Sequence, residues 1–168
     1  LVSLAFAAPK AVISAEVITQ WLLETEELIV NTQSIILNRY LPLAVKSFYQ
    51  DKKQASHQQL ISHFSVCVQS SFCNTADVVK TLLKLEDEGL CWLSYLLSDV
   101  QKRQLGIMTG WVHCDEQATI EALATNIPAN IVYKQYLSLN TLRQQLNDHP
   151  GLNKELLLTQ WLFEFIGE

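Results

Sequence analysis

Three apolar triplets stand seven residues apart near the start of the chain: Trp21-Leu22-Leu23, Leu28-Ile29-Val30 and Ile35-Ile36-Leu37. The polar quartets Glu24-Thr25-Glu26-Glu27 and Asn31-Thr32-Gln33-Ser34 separate them. Seven residues make nearly two helical turns, so on a continuous helix the triplets stack and cover about 200° of its surface. An ordinary surface helix buries a narrower stripe. The pattern predicts one long helix over 14–38, capped by Ser14 with Glu16 in its first turn, as the most buried element of the fold. Trp21, Leu28 and Ile35 are expected to be almost fully buried, and Ile29 to be a core residue. Ile36 is expected to pack on the C-terminal helix or on a partner.

Beyond that helix, Leu41-Pro42 forces a break. A short helix over 43–50 carries Leu43, Val45 and Phe48, and 50–54 reads as a connector. Ser56 opens an amphipathic helix with Leu60, Ile61, Phe64 and Cys67 or Val68 on one side. Asn74 or Thr75 caps a helix over 75–88, with Val78, Val79, Leu82, Leu83 and Leu85 inward and Gly89 at the left-handed C-cap position. Residues 90–112 read either as two short helices or as a β-hairpin joined at 98–103. Asp115 can cap a helix over 116–125, and Pro128 opens one that runs to about Asn147. His149-Pro150-Gly151 is a turn, after which Asn153 opens a last, aromatic-rich helix. The expected fold class is mainly α: one domain over 1–168, a bundle of six to eight helices, with the hairpin around 90–112 as the β alternative. Residues 1–13 read as a flexible or residual N-terminal segment.

Composition shifts the reading towards association. Of 168 residues 49% are hydrophobic and only 17% charged, against about 25% charged in average soluble proteins. A lightly charged exterior favours an oligomer interface or a groove for another chain. The expected function is therefore a non-catalytic protein–protein interaction module: an adaptor, a chaperone-like protein or a complex-scaffolding subunit. Its partner is another protein chain or a second copy of itself. The wide face of 17–37 and the aromatic C-terminal helix name the contact residues: Trp21, Leu23, Val30, Leu37, Trp161 and Phe165.

Chemistry is sparse. Cys67, Cys73, Cys91 and Cys114 are too few for a disulfide scaffold and include no CxxC, so reduced cysteines in a cytoplasmic protein are expected. The alternative is export, if Leu1–Ala7 is the tail of a signal peptide with Ala5-Phe6-Ala7 before the cleavage point. No apolar run reaches the 18 residues of a membrane span. His63, Cys67, His113 and Cys114 lack the short paired spacings of zinc sites. Glu24 and Glu27 share a helix face, but no Glu-x-x-His pairs accompany them as in di-iron bundles. No GxSxG, P-loop, GxGxxG or HExxH occurs. His113, Cys114 and Asp115 are neighbours whose side chains diverge, which does not make a relay. The reading is of no enzyme, no cofactor and no metal.

One segment supports a different class of function. Thr75–Glu88 followed by Gly89-Leu90 is a capped helix ending in an acidic run, Gly and Leu, and it resembles the recognition helix of winged-helix domains. The resemblance implies that 56–64 precedes it as the other helix of a helix-turn-helix. It also implies a wing at 98–103 and contacts from Lys80, Lys84, Lys102 and Arg103 to nucleic acid. The spacing from Leu60 to 75 is long for that motif. Over 74–114 these four bases are outnumbered by Asp77, Glu86, Asp87, Glu88 and Asp99, and the whole chain carries a net charge of −5. Both charges disfavour a face that must neutralise phosphates. The bases at Arg39, Lys46, Lys52 and Lys53 read as a solvated helix end and loop.

Overall fold

The apolar run 21–37 folds as two helices, α1 (Ala15–Glu26) and α2 (Thr32–Leu37), and not as the single helix expected over 14–38. Ser14 caps α1 as its residue type suggests, its hydroxyl accepting from the Val17 amide. The helix stops because Glu27 adopts a left-handed φ of 52° and the Leu28 N–H bonds back to the Leu22 carbonyl, a Schellman-type end. Glu24, Glu26 and Glu27 crowd the negative end of the helix dipole, which disfavours continuation. Asn31 then starts α2, its side chain accepting from the Ser34 amide at 2.9 Å. With the phase broken, the triplets no longer share a face. Ile35 is fully buried, but Leu28 is only partly so, Trp21 is 38% exposed and Ile29 is 82% exposed. The expectation of near-complete burial for Trp21, Leu28 and Ile29 is thereby corrected.

The structure, a computed structural model, describes residues 13–69 and 75–166. Expectations that fall on 1–12, Cys73 and Asn74 lie outside that range. Among the described residues the chain is mainly helical, with eight helices and no strand. The six that follow α1 and α2 are α3 (Pro42–Gln50), α4 (Lys53–Gln69), α5 (Thr75–Gln104), α6 (Gln117–Asn126), α7 (Ala129–Asp148) and α8 (Lys154–Ile166).

Pro42 opens α3, where its missing N–H costs no helix bond. The connector before α4 shrinks to Asp51 and Lys52, the latter at a positive φ, so α4 begins three residues ahead of Ser56. Cys67 is buried in α4 and is disulfide-bonded, whereas Cys91 and Cys114 are free. The expectation of reduced cysteines fails at Cys67.

Helix α5 is the axis of the bundle and the most buried element. It packs against α4, α6, α7 and α8. Leu90, Trp92, Leu93, Leu96, Leu97 and Val100 are all buried. A run that is apolar on every side is satisfied by a central helix with neighbours all round it. That is why 90–104 continues as helix and the hairpin over 90–112 does not form; 105–116 is irregular chain. Gly89 is not a C-cap. The interruption falls at Glu86 (φ 53°, ψ −134°), and the helix resumes through Gly89. A Cβ on Gly89 would lie 2.9 Å from the Leu85 Cβ, so this position needs glycine for close packing across the kink.

Asp115 does not cap α6; Glu116 occupies the cap position and makes no side-chain cap bond. Pro128 precedes α7, and Asn153 Oδ1 accepts from the Leu156 amide to start α8. Two apolar clusters result. The larger one joins α4–α8 with Leu37 and Phe48, and the smaller one holds Ile18, Leu22, Val30, Ile35 and Val45. Tyr49 packs against both.

Candidate functional site

Asp99 lies fully buried on α5 and organises the irregular chain that follows the helix. Its Oδ2 accepts from the backbone amides of Val112 and His113, both at 2.9 Å, and faces the His113 Nδ1 at 3.1 Å. Its Oδ1 accepts from Lys102 Nζ at 3.1 Å. Burial raises the Asp99 pKa, but these hydrogen bonds, led by that of the His113 side chain, outweigh it and hold the carboxyl below its usual range. The His113 ring stacks on His57 from α4, with centroids 5.2 Å apart and planes within 10°. Trp92 meets His57 edge-on at 5.0 Å. Burial, with the neighbouring His113 second, depresses the His57 pKa to about 3, so its ring is neutral.

This carboxylate–imidazole pair locks a loop in place. The His113 Nε2 is buried without a hydrogen-bond partner, and Cys114 Sγ points to Asp115 Oδ1 at 3.7 Å. No three His, Cys, Asp or Glu side chains among the described residues are grouped to hold a metal ion. The loop so fixed carries Asp115, which ties α2 to the bundle. Asn31 Nδ2 donates to Asp115 Oδ2 at 2.6 Å, and the Asp115 amide donates to Gln33 Oε1 at 2.8 Å. A small cavity of about 40 Å³ lies at this junction, with Gln33, Ser34, His57 and Glu116 in its wall.

The surface has two apolar features. A groove of about 430 Å³ between α1 and α3 is lined by Ile13, Val17, Ile18, Trp21, Pro42 and Leu43. Elsewhere, α8 exposes Leu156 and Phe163, seven residues and so two turns apart on one face, while α7 exposes Tyr133 and Leu137 one turn apart. Nothing in the periodicity of 13–43 marked the groove, because it forms between two helices that a single 14–38 helix would have kept apart.

The six residues read from sequence as protein contacts divide. Trp21 and Leu23 reach the surface, the latter 51% exposed. Val30, Leu37, Trp161 and Phe165 are inside the fold, with Trp161 only 2% exposed. Phe64, Trp161 and Phe165 pack ring against ring, which accounts for the aromatic content of α8 as core.

The four bases of the winged-helix reading also divide. Lys80 and Lys84 are exposed on α5. Lys102 is engaged by Asp99 and by the Gly110 carbonyl, and Arg103 by Glu121 of α6. Residues 98–103 are helix where that family carries its wing. The acidic run at the end of the segment that resembles a recognition helix has a structural use instead. The kink at Glu86 turns Asp87 towards α7, where Arg143 forms a two-toothed ion pair with it.

No helix among the described residues is long and apolar enough to cross a membrane. No curated protein matches the chain. The family described as DNA polymerase III, delta subunit, C terminal, matches residues 51–167. That interval contains all of α4 to α8, the helices that build the larger apolar cluster, and leaves α1–α3 in front of it. With well over half of its length matched, the chain belongs to the family formed by the C-terminal region of the DNA polymerase III delta subunit.

Proposed function

We propose that this chain is a non-catalytic scaffold that holds other protein chains in a DNA polymerase III assembly, within the clamp-loader complex to which the delta subunit belongs. The family match over α4–α8 is the observation that carries this reading. The buried polar groups support it, since Asp99, His57 and His113 are spent on fixing a loop. In this reading α1–α3 and the bundle act as one domain, joined by the bonds of Asn31 and Gln33 to Asp115. Its place is the cytoplasm, with the rest of the polymerase.

The contact residues we assign are Leu156 and Phe163 on the exposed face of α8, with the exposed Tyr133 and Leu137 on α7. Leu23 on α1 is a second, separate contact. Exposed aromatic and aliphatic side chains at helical spacing are what a facing helix buries. The test is reconstitution of the chain with the other subunits of the polymerase III complex, followed by size-exclusion chromatography. The chain should co-elute with at least one of them. Leu156→Asp combined with Phe163→Asp should abolish co-elution while leaving the thermal melt within a few degrees of the parent. A parent chain that elutes alone in the presence of every other subunit overturns the proposal.

A further inference from the structure

Helices α7 and α8 pack on each other and leave an open groove of about 280 Å³ between them. Unlike the groove between α1 and α3, it is polar. Ser138, Thr141, Gln145, Gln160 and Glu164 line it, with Leu142, Leu157 and Trp161 as its apolar part. All of them fall within the interval shared with the delta family. Helical spacing gathers them: 138, 141, 142 and 145 lie three and four residues apart on α7, as do 157, 160, 161 and 164 on α8.

The bonds already made in the groove decide what it can accept. The Thr141 hydroxyl donates to the Leu137 carbonyl at 3.1 Å, so its hydrogen is used and its lone pairs remain. Gln160 Nε2 donates to Glu164 Oε1 at 3.3 Å, which leaves the Gln160 carbonyl oxygen as an acceptor. Among the described residues that line the groove, Glu164 carries the one charge. The wall is therefore rich in acceptors and negative.

That character selects the anchor. An aliphatic side chain would strip water from hydroxyl and amide oxygens and give no bond in return. A carboxylate would meet Glu164 with like charge. An ammonium offers three donors from one compact, strongly hydrated point. A guanidinium offers five donors in a plane, enough to pair with Glu164 by two bonds and still serve the Thr141 and Gln160 oxygens. The methylene stem behind it suits Leu142 and Leu157. Leu137, Leu156 and Phe163, all exposed, each directly precede a residue of the lining. Apolar contacts around a buried polar anchor keep water from it, which is how interface hot spots are built.

We propose that the groove between α7 and α8 receives an arginine side chain of a partner chain, with Glu164 as its carboxylate. The identity of that partner rests on the scaffold reading above, whereas the chemistry of the groove is tested on this chain alone, so either can fail without the other. The full chain is titrated with Nα-acetyl-arginine N-methylamide, and the side-chain amide signals of Gln145 and Gln160 and the indole signal of Trp161 are followed by NMR. Saturable shifts with a Kd of about 1 mM are expected for a ligand of this size. Glu164→Gln should weaken binding about tenfold, with the far-ultraviolet circular dichroism unchanged. The citrulline analogue, which keeps the shape and lacks the charge, and the lysine analogue should both bind more weakly than the arginine compound. Absence of a saturable shift, equal binding of either analogue, or parent-like binding by Glu164→Gln would each overturn the proposal. Free arginine that binds more tightly than the blocked compound would assign the groove to the amino acid and overturn the partner-chain source.

Discussion

One oxygen of Asp99 holds His113 at both its backbone and its ring, at 2.9 Å to the amide and 3.1 Å to Nδ1. The contact joins a buried helix to irregular chain fourteen residues later, and so it decides where Asp115 can stand to receive α2. The same carboxylate binds the Val112 amide and Lys102. A loop that would otherwise carry unpaired backbone donors into the core is thereby satisfied.

Asp99→Ala should leave several buried donors without an acceptor and cost about 3–5 kcal/mol. Urea unfolding followed by circular dichroism measures it. A loss below about 1 kcal/mol would show that water replaces the carboxylate without penalty.

Acid should weaken the fold through His57. Its pKa is depressed to about 3 in the folded chain, from 6.5. The unfolded chain therefore takes up the proton first as pH falls, and the stabilisation present above pH 6.5 is lost progressively down to about pH 3. Between pH 7 and pH 5 stability should drop by about 1–3 kcal/mol. Urea midpoints at the two pH values give the slope, and His57→Phe should flatten it.

Backbone strain at the α5 kink yields a pair of opposed effects. Glu86 sits at φ 53° and ψ −134°, a region that costs a non-glycine residue about 1–3 kcal/mol. Glu86→Gly should raise the melting temperature. Gly89→Ala should lower it, by about 1–3 kcal/mol of stability, because the new Cβ meets that of Leu85 at 2.9 Å. Calorimetry on the two single variants distinguishes them by sign.

Ile29 and Ile35, six residues apart, should behave as opposites. Ile29→Ala on the exposed loop should change stability by less than about 0.5 kcal/mol. Ile35→Ala in the small N-terminal core should cost about 2–5 kcal/mol. Equal effects would restore the continuous helix that the heptad-like spacing suggested.

Much of the helical content was legible in the residues themselves. Ser14, Pro42, Pro128 and Asn153 act within a turn of their own position, so their starts can be read locally. The turn at His149-Pro150-Gly151 falls between α7 and α8 for the same reason. The mainly α class follows from such signals. What sequence could not decide was phase and neighbourhood. The triplets at 21, 28 and 35 fit one helix until Glu27 closes α1 and Asn31 opens α2, a competition between capping and continuation that periodicity does not weigh. Leu90–Leu97 suits a strand or a helix equally. It becomes helix because α4, α6, α7 and α8 surround it and leave no open edge to pair. Asp99, His57 and His113 lie far apart in the chain and carry no motif, so their meeting depends on how the bundle closes. Local chemistry set the helices; packing between distant segments decided which apolar residues became core and which reached the surface.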